Sequence, residues 1–467
     1  MTDPAAGPFD VIVVGAGSAG SVVAGRLAEN PAVRVLLIEA GPPALSPGPV
    51  GVLPVGPGAD GLLRYRDEVA PGTWIAAARG GRVGGGSAVN GAYLLRARPP
   101  DFASWPPGWD AATMSGCYDR IRLPRTVRPP TVWHPASRAV VEAAVEQGYR
   151  FRLDLDDPEP EGAGVVGAVA VNVLGGRRID VAERYLAPRS NLRVLTGRAV
   201  RRVLLAGRGD GLRAVGVELT DGATVSAGRI VLSAGAVGTP RVLHRSGIGP
   251  APDLRRAGIS VVVDLPGVGR GGTDHPEVTV ALDAERLPTA AGAATDRPLL
   301  EVAVEAHLPA GAVELRPYTA PFGVVIPGVV DPLLRIGVSA MGSRAPVAVS
   351  VAVDPAEPAF VRRTPSAADD AALAAGVALA RELVPTLPGP PDRSAPLHLC
   401  GTARMGVDGD RGAVVDAGLR VRGVDGLYVA DGSAVPVVPS RGPHATVIAL
   451  AERFVLIATT DSGPLRA

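Results

Sequence analysis

At 467 residues the chain is too long for one compact core, so two domains, or one α/β domain carrying an inserted second one, are expected. Its 47 basic residues, all arginine, and 46 acidic ones leave a formal charge of +1 with no arginine run, which argues against nucleic-acid and anionic-lipid partners. Two cysteines, Cys117 and Cys400, are too few for a disulfide framework or a four-ligand zinc site, and the first nine residues lack the basic start of a signal peptide; a cytoplasmic protein, at most peripheral to a membrane and without a transmembrane segment, is expected.

Residues 10–14 form a short β-branched apolar run ending in glycine, 33–38 form another, and 18–30 between them have helical length, which together predict a βαβ unit. Glycine and proline crowd 41–60, and a second glycine cluster fills 80–91, so this stretch reads as loops threaded with short elements. An amphipathic helix is predicted over 132–149 and a polar, glycine-containing connection over 158–167. Strand-like runs follow at 192–195, 200–205, 214–219 and 230–233, broken by Gly-Asp-Gly and Asp-Gly turns. Between about 275 and 395 the pattern changes: alternating segments such as 302–307 and 347–353 suggest an antiparallel sheet, and the alanine-rich 367–383 a helix. After Pro396 the glycine-rich style returns, with a strand at 426–430 and a helix at 446–459. The fold class that follows is α/β: a doubly wound, Rossmann-like domain of the glutathione-reductase type with an inserted antiparallel-sheet domain. Residues 1–110, 165–275 and 396–467 are assigned to the first domain, 111–164 and 276–395 to the second.

Gly15-Ala16-Gly17-Ser18-Ala19-Gly20 follows the first strand and opens its helix, the context a dinucleotide fingerprint requires. Glycines let the backbone approach a pyrophosphate, whose charge the helix N-terminus stabilises. Glu39, at the end of the second strand, stands where a carboxylate can accept hydrogen bonds from the ribose hydroxyls of the adenosine half. The second cluster, from Arg79 through Val83, Gly85, Gly86, Ser87 and Asn90 to Gly91, offers another run of unhindered backbone N–H groups, with Ser87 and Asn90 as polar tips. A nicotinamide cofactor would leave that cluster idle, whereas a larger dinucleotide would use both.

At this point the chain resembles the glucose-methanol-choline oxidoreductase family. The resemblance rests on residues 84–91, on 235–249, on Leu265-Pro-Gly-Val-Gly-Arg270 with Asp274-His275-Pro276, and on a closing block of 398–406, 426–433 and His444-Ala445-Thr446, in that order. It implies FAD as cofactor, held non-covalently because Val89 stands where covalently flavinylated members carry histidine. It further implies that Gly85, Gly86, Asn90, Gly91 and Ala92 line the flavin side, that Val200 meets the adenine, and that Ala234, Asp431, Gly432 and Ala445 approach the ribityl-pyrophosphate. A strand ending in Ala-Asp-Gly is suited to presenting amides and a carboxylate to a polyol chain.

The same resemblance places the catalytic pair on His398 and His444. Alcohol oxidation needs a base for the hydroxyl proton while hydride leaves carbon, and imidazole suits that near neutrality. Of six histidines, His134, His244, His275 and His307 sit in contexts that read as packing or surface, and Asp274-His275-Pro276 reads as a structural turn. The expected activity is therefore oxidation of a small-molecule alcohol, His398 being favoured as base. The inserted domain is short for the family and looks like that of the mycofactocin-associated dehydrogenases, which would make a reduced redox carrier the substrate and send its electrons toward the respiratory chain; the acceptor itself, the respiratory quinone chain or oxygen, is left open by the sequence. Two alternatives are an oxidase or choline-type dehydrogenase for a small primary alcohol and, in another class, a nucleotide-binding protein without turnover.

Overall fold

The structure is a computed structural model that describes residues 9–44, 48–157, 164–287, 295, 297–394 and 397–460. The first eight residues, and 158–163 of the expected connection, lie outside the described residues.

A five-stranded parallel sheet forms the first core, in the order Leu427–Val429, Arg229–Leu232, Val11–Val14, Val35–Ile38 and Leu192–Leu195. Its central strands are buried on both faces, which is why they read as unbroken apolar runs instead of alternating ones. Helix Ser18–Leu27 leaves the first strand and packs against the C-terminal helix His444–Thr459, so the fingerprint turn and His444 are held by one helix pair. A three-stranded sheet, Val200–Ala206, Arg213–Leu219 and Thr224–Ser226, lies beside the parallel one.

The second core is a seven-stranded sheet in the order Asp392–Ser394, Glu277–Ala281, Arg335–Ala340, Gly311–Pro317, Val302–Leu308, Val165–Ala168 and Arg150–Arg152. All of its pairings are antiparallel except the last. Its two faces differ. Val278, Val280, Val304, Val313, Leu315, Ile336 and Val338 pack under helices Pro135–Glu146 and Ala367–Leu383. The opposite face carries Glu305, Glu314, Ser339 and Glu277 in register across four neighbouring strands.

Several elements differ from the sequence reading. Val165–Ala168, expected within a connection and on the side of the first domain, is a fully buried strand paired with Val302–Leu308; four apolar residues name a buried strand but not the sheet that receives it. The hairpin Leu62–Ala70 and Thr73–Gly80 replaces an expected loop region, turning at Pro71-Gly72 and pairing through Leu62–Ala70 with strand Ala359–Arg363, whose other edge takes Val347–Val349. The helix expected over 132–149 starts at Pro135, because the His134 ring accepts the Ala136 N–H at 3.1 Å and caps it. Among the described residues no helix is long and apolar enough to cross a membrane.

Candidate active site

The two glycine clusters, distant in sequence, touch. The Gly84 N–H donates to the Ala16 carbonyl at 2.8 Å, and a Cβ on Gly85, where φ is +53°, would lie 2.5 Å from the Gly17 Cα. Gly20 is just as constrained: its Cβ would stand 1.8 Å from the Gly15 carbonyl oxygen. Only glycine permits this stacking. Gly86, by contrast, is exposed with nothing within 4 Å of its Cβ position, and Gly15, Gly17, Ser18, Asn90, Gly91 and Ala234 are half-buried. Backbone amides at the mouth of helix Ser18–Leu27 and a cradle too tight for any side chain fit the adenosine and pyrophosphate portion of a FAD.

Not every predicted contact points into that space. Glu39 is buried and accepts the Ala16 N–H at 2.8 Å and the Gly41 N–H at 2.9 Å, so it also ties the fingerprint turn to the second strand. Ser87 is no polar tip: its fully buried hydroxyl donates to the Gly84 carbonyl at 2.6 Å and accepts the Val181 N–H at 3.1 Å. Asp431 turns its carboxylate inward, accepting from Gly235 N at 2.7 Å, Thr239 Oγ1 at 2.6 Å and Ser433 N at 2.8 Å. A buried carboxylate is drawn to the N-terminus of helix Gly235–Arg245, where unpaired N–H groups await it. The Asp431 carboxylate is thereby fully engaged within the fold and does not point outward to a polyol. Asn90 accepts the Ala92 N–H through Oδ1 at 3.0 Å, fixing the turn at Ala92, where φ is +64°. Arg79 donates to the Tyr65 hydroxyl at 3.1 Å and keeps a buried Nη2 without a partner among the described residues. Val83, Val200 and Ala445 are buried wall residues.

His398 and His444 come from different segments, and the segment that leads into His444 lies against His398. His444 opens the C-terminal helix; Gly442, two residues before it, lies against His398, its Cβ position 3.6 Å from His398 Nε2. Both rings are half-buried. Burial pushes His444 down to about 4 and holds His398 well below its ordinary range, with His275, Arg316 and Arg79 adding to the effect on His398. Both are therefore neutral at pH 7. Leu397, immediately before His398, has φ +64°, a left-handed conformation that costs a bulky residue about 1–3 kcal/mol and aims the next side chain.

Three groups around the pair were not singled out from sequence. His275, read as a turn residue, places Nδ1 3.0 Å from His398 Nδ1. Asp274 Oδ1 accepts the backbone N–H of both histidines, at 2.8 and 2.9 Å, while Oδ2 accepts from Arg363 at 2.8 Å. Arg441 holds the segment before His444 by donating to Glu305 Oε1 at 2.6 Å, Asp156 Oδ1 at 3.0 Å and the Leu155 carbonyl at 2.6 Å. The Asp-His-Pro triplet was the available signal for the first two, and Arg441-Gly442-Pro443-His444 for the third. His134, His244 and His307 have the structural roles expected: a helix cap, a contact with the Val268 carbonyl at 3.2 Å, and a contact with Arg98 at 3.2 Å.

A parallel sheet with a glycine cradle at its carboxyl edge, joined to an antiparallel sheet with one polar face, defines a dinucleotide-dependent α/β protein with a second domain. The chain belongs to the GMC oxidoreductase family: the family's N-terminal model matches residues 9–277 and its C-terminal model 354–451. It is 36% identical to an uncharacterised GMC-type oxidoreductase of Rhodococcus erythropolis over 97% of this chain and 98% of the relative. It is 29% identical to an oxygen-dependent choline dehydrogenase of Staphylococcus haemolyticus over 95% of this chain and 92% of that one. Among solved structures, pyridoxine 4-oxidase from Mesorbium loti superposes with a TM-score of 0.82 at 27% identity, covering 96% of this chain and 98% of that one. Formate oxidase shares the fold, with a TM-score of 0.80 at 20% identity over 98% of this chain and 99% of its own. The family consists of FAD-dependent flavoproteins acting on CH–OH donors, and this chain is an FAD-dependent oxidoreductase of that class.

Proposed function

We propose that the protein oxidises an alcohol with His398 as the base that takes the hydroxyl proton and His444 as the hydrogen-bond partner of the substrate oxygen. The observation that carries this reading is the state of the two rings: both are neutral, and the segment that leads into His444, at the start of the helix that also packs on the fingerprint helix, lies against His398. His398 Nε2 has no hydrogen-bond partner among the described residues, whereas Nδ1 is engaged by His275. A base needs a free lone pair on a ring whose other side is held, and His398 meets that description. His444 Nε2 is likewise unpartnered, which suits a group that waits for the substrate oxygen.

Gly15, Gly17, Ser18, Ala19 and Gly20 would hold the pyrophosphate of FAD, Glu39 and Val200 its adenosine, and Arg79, Val83, Gly85, Gly86, Asn90, Gly91 and Ala92 its flavin side. The backbones of Ala234, Asp431, Gly432 and Ala445 would complete the contact, without a covalent bond. Bound there, the flavin supplies the hydride acceptor. The polar sheet face, with Glu314, Glu305 and Tyr93, suits a substrate that carries polar groups besides its hydroxyl; choline and pyridoxine, named for the relatives, are two such alcohols. The resemblance to mycofactocin-associated dehydrogenases supports a reduced redox carrier as the second candidate.

Anaerobic bleaching of the flavin by simple alcohols, choline, pyridoxine, aryl alcohols and reduced mycofactocin would identify the donor, and peroxide release against dye reduction the acceptor. With that donor, His398→Asn and His444→Asn should each slow flavin reduction by about 10²–10⁴-fold while FAD stays bound. Unchanged reduction in both variants would remove the assignment.

A further inference from the structure

Behind the pair lies a third imidazole with a defined set of partners. His275 is fully buried; its Nε2 is 2.9 Å from the Pro439 carbonyl oxygen and its Nδ1 3.0 Å from His398 Nδ1, with the rings edge to face at 87°. A carbonyl oxygen only accepts, so His275 Nε2 must carry the proton of that contact. Burial pushes His275 down to about 4 against the opposing pull of Asp274, so at neutral pH the ring has no second proton. Its Nδ1 is then a bare lone pair, and the proton between the two rings belongs to His398.

We propose that His275 is a positioning residue that locks His398 as its Nδ1–H tautomer, leaving His398 Nε2 as the lone pair that faces the substrate hydroxyl. The inference deepens the function proposed above and rests on His398 being the base. In turnover the substrate O–H bond would break as an N–H bond forms at His398 Nε2, and a flavin held in the glycine cradle would supply the acceptor for the hydride that leaves the carbinol carbon. The resulting imidazolium keeps its Nδ1–H donated to His275, and the chain ends at the Pro439 carbonyl, so the proton stays on the pair until His398 releases it. Asp274 fixes both histidine backbones. Arg363 holds Asp274 and also donates to Asp67 at 3.0 and 2.8 Å; Arg316 and Arg79 are the other charged groups facing His398.

Histidine ¹⁵N NMR of the FAD-loaded protein at pH 7.5, with His398→Asn for assignment, reads the tautomer directly. The expected spectrum has a pyrrole-type Nδ1 and an imine-type Nε2 for His398. His275→Leu should shift both toward averaged or reversed values, and His275→Asn, which keeps an acceptor, should restore them. With the alcohol that bleaches the native flavin, reduction should slow by about tenfold or more in His275→Leu and recover most of the loss in His275→Asn. A pyrrole-type Nε2 in the native protein overturns the lock even if His275→Leu fails to fold, as does an unchanged His398 tautomer in a folded Leu variant. Normal flavin reduction in His398→Asn would instead overturn the choice of base and leave the tautomer standing.

Discussion

Glu314 shows how a single buried group can set the pH behaviour of this molecule. It lies on the polar sheet face with its Oε2 accepting from the Tyr93 hydroxyl at 2.8 Å, and burial together with Glu305 pushes it up to about 7. A carboxyl raised in the folded state binds its proton more tightly folded than unfolded, so the group costs stability as pH rises from about 4.5 to about 7. Glu314→Gln should therefore raise the unfolding free energy at pH 8 by roughly 1–3 kcal/mol and leave it nearly unchanged at pH 4.5. Denaturant titration at the two pH values checks this, and an equal gain at both would contradict it. At the same scale, the motifs of the closing block were enough to select His398 and His444. Ser87 and Asp431 read differently in the structure, because what a hydroxyl or carboxylate does depends on which N–H groups the fold brings to it, here those of Val181 and Gly235.

Elements were most legible where one face or one period dominates. The alanine-rich helix Ala367–Leu383 and the strand Leu192–Leu195 fall where their patterns put them. The hairpin ending at Gly80 was not read, since its second strand, Thr-Trp-Ile-Ala-Ala-Ala-Arg-Gly, lacks a polar alternation, and its partner Ala359–Arg363 lies almost three hundred residues away in sequence. The contact between the glycine clusters belongs to this scale too. Gly85→Ala would have to fit a methyl group 2.5 Å from the Gly17 Cα at a φ of +53°. The expected outcome is FAD affinity weakened by about tenfold or more, equivalent to about 1.4 kcal/mol, read by flavin retention on desalting and by reconstitution titration. Native-like retention would show that the loops can part without loss.

Across the whole molecule, His134, His244 and His275 are each buried and pushed down to about 4, chiefly by burial itself. Groups depressed in this way are neutral when folded and take up protons on unfolding, so the stability they hold above their unfolded value near 6.5 is lost as pH falls toward 4. Each should contribute a loss on the order of 1–2 kcal/mol by pH 5, and His444, also pushed down to about 4, acts in the same sense, while Glu314 works in the opposite one. The urea midpoint of the FAD-saturated protein should drop clearly between pH 7.5 and pH 5, and a flat profile would contradict the burial argument. The sequence by itself determined the two-part α/β plan, the dinucleotide turn and the identity of the two candidate catalytic histidines, because those follow from local periodicity, from glycine's freedom and from short motifs. Only the tertiary structure decided that Val165–Ala168 joins the antiparallel sheet, that Ser87 and Asp431 turn inward, and that His275 stands behind His398. Each of these depends on which distant group completes a hydrogen bond or a strand edge, and such pairings are fixed by the closing of the chain on itself rather than by any residue's neighbours in sequence.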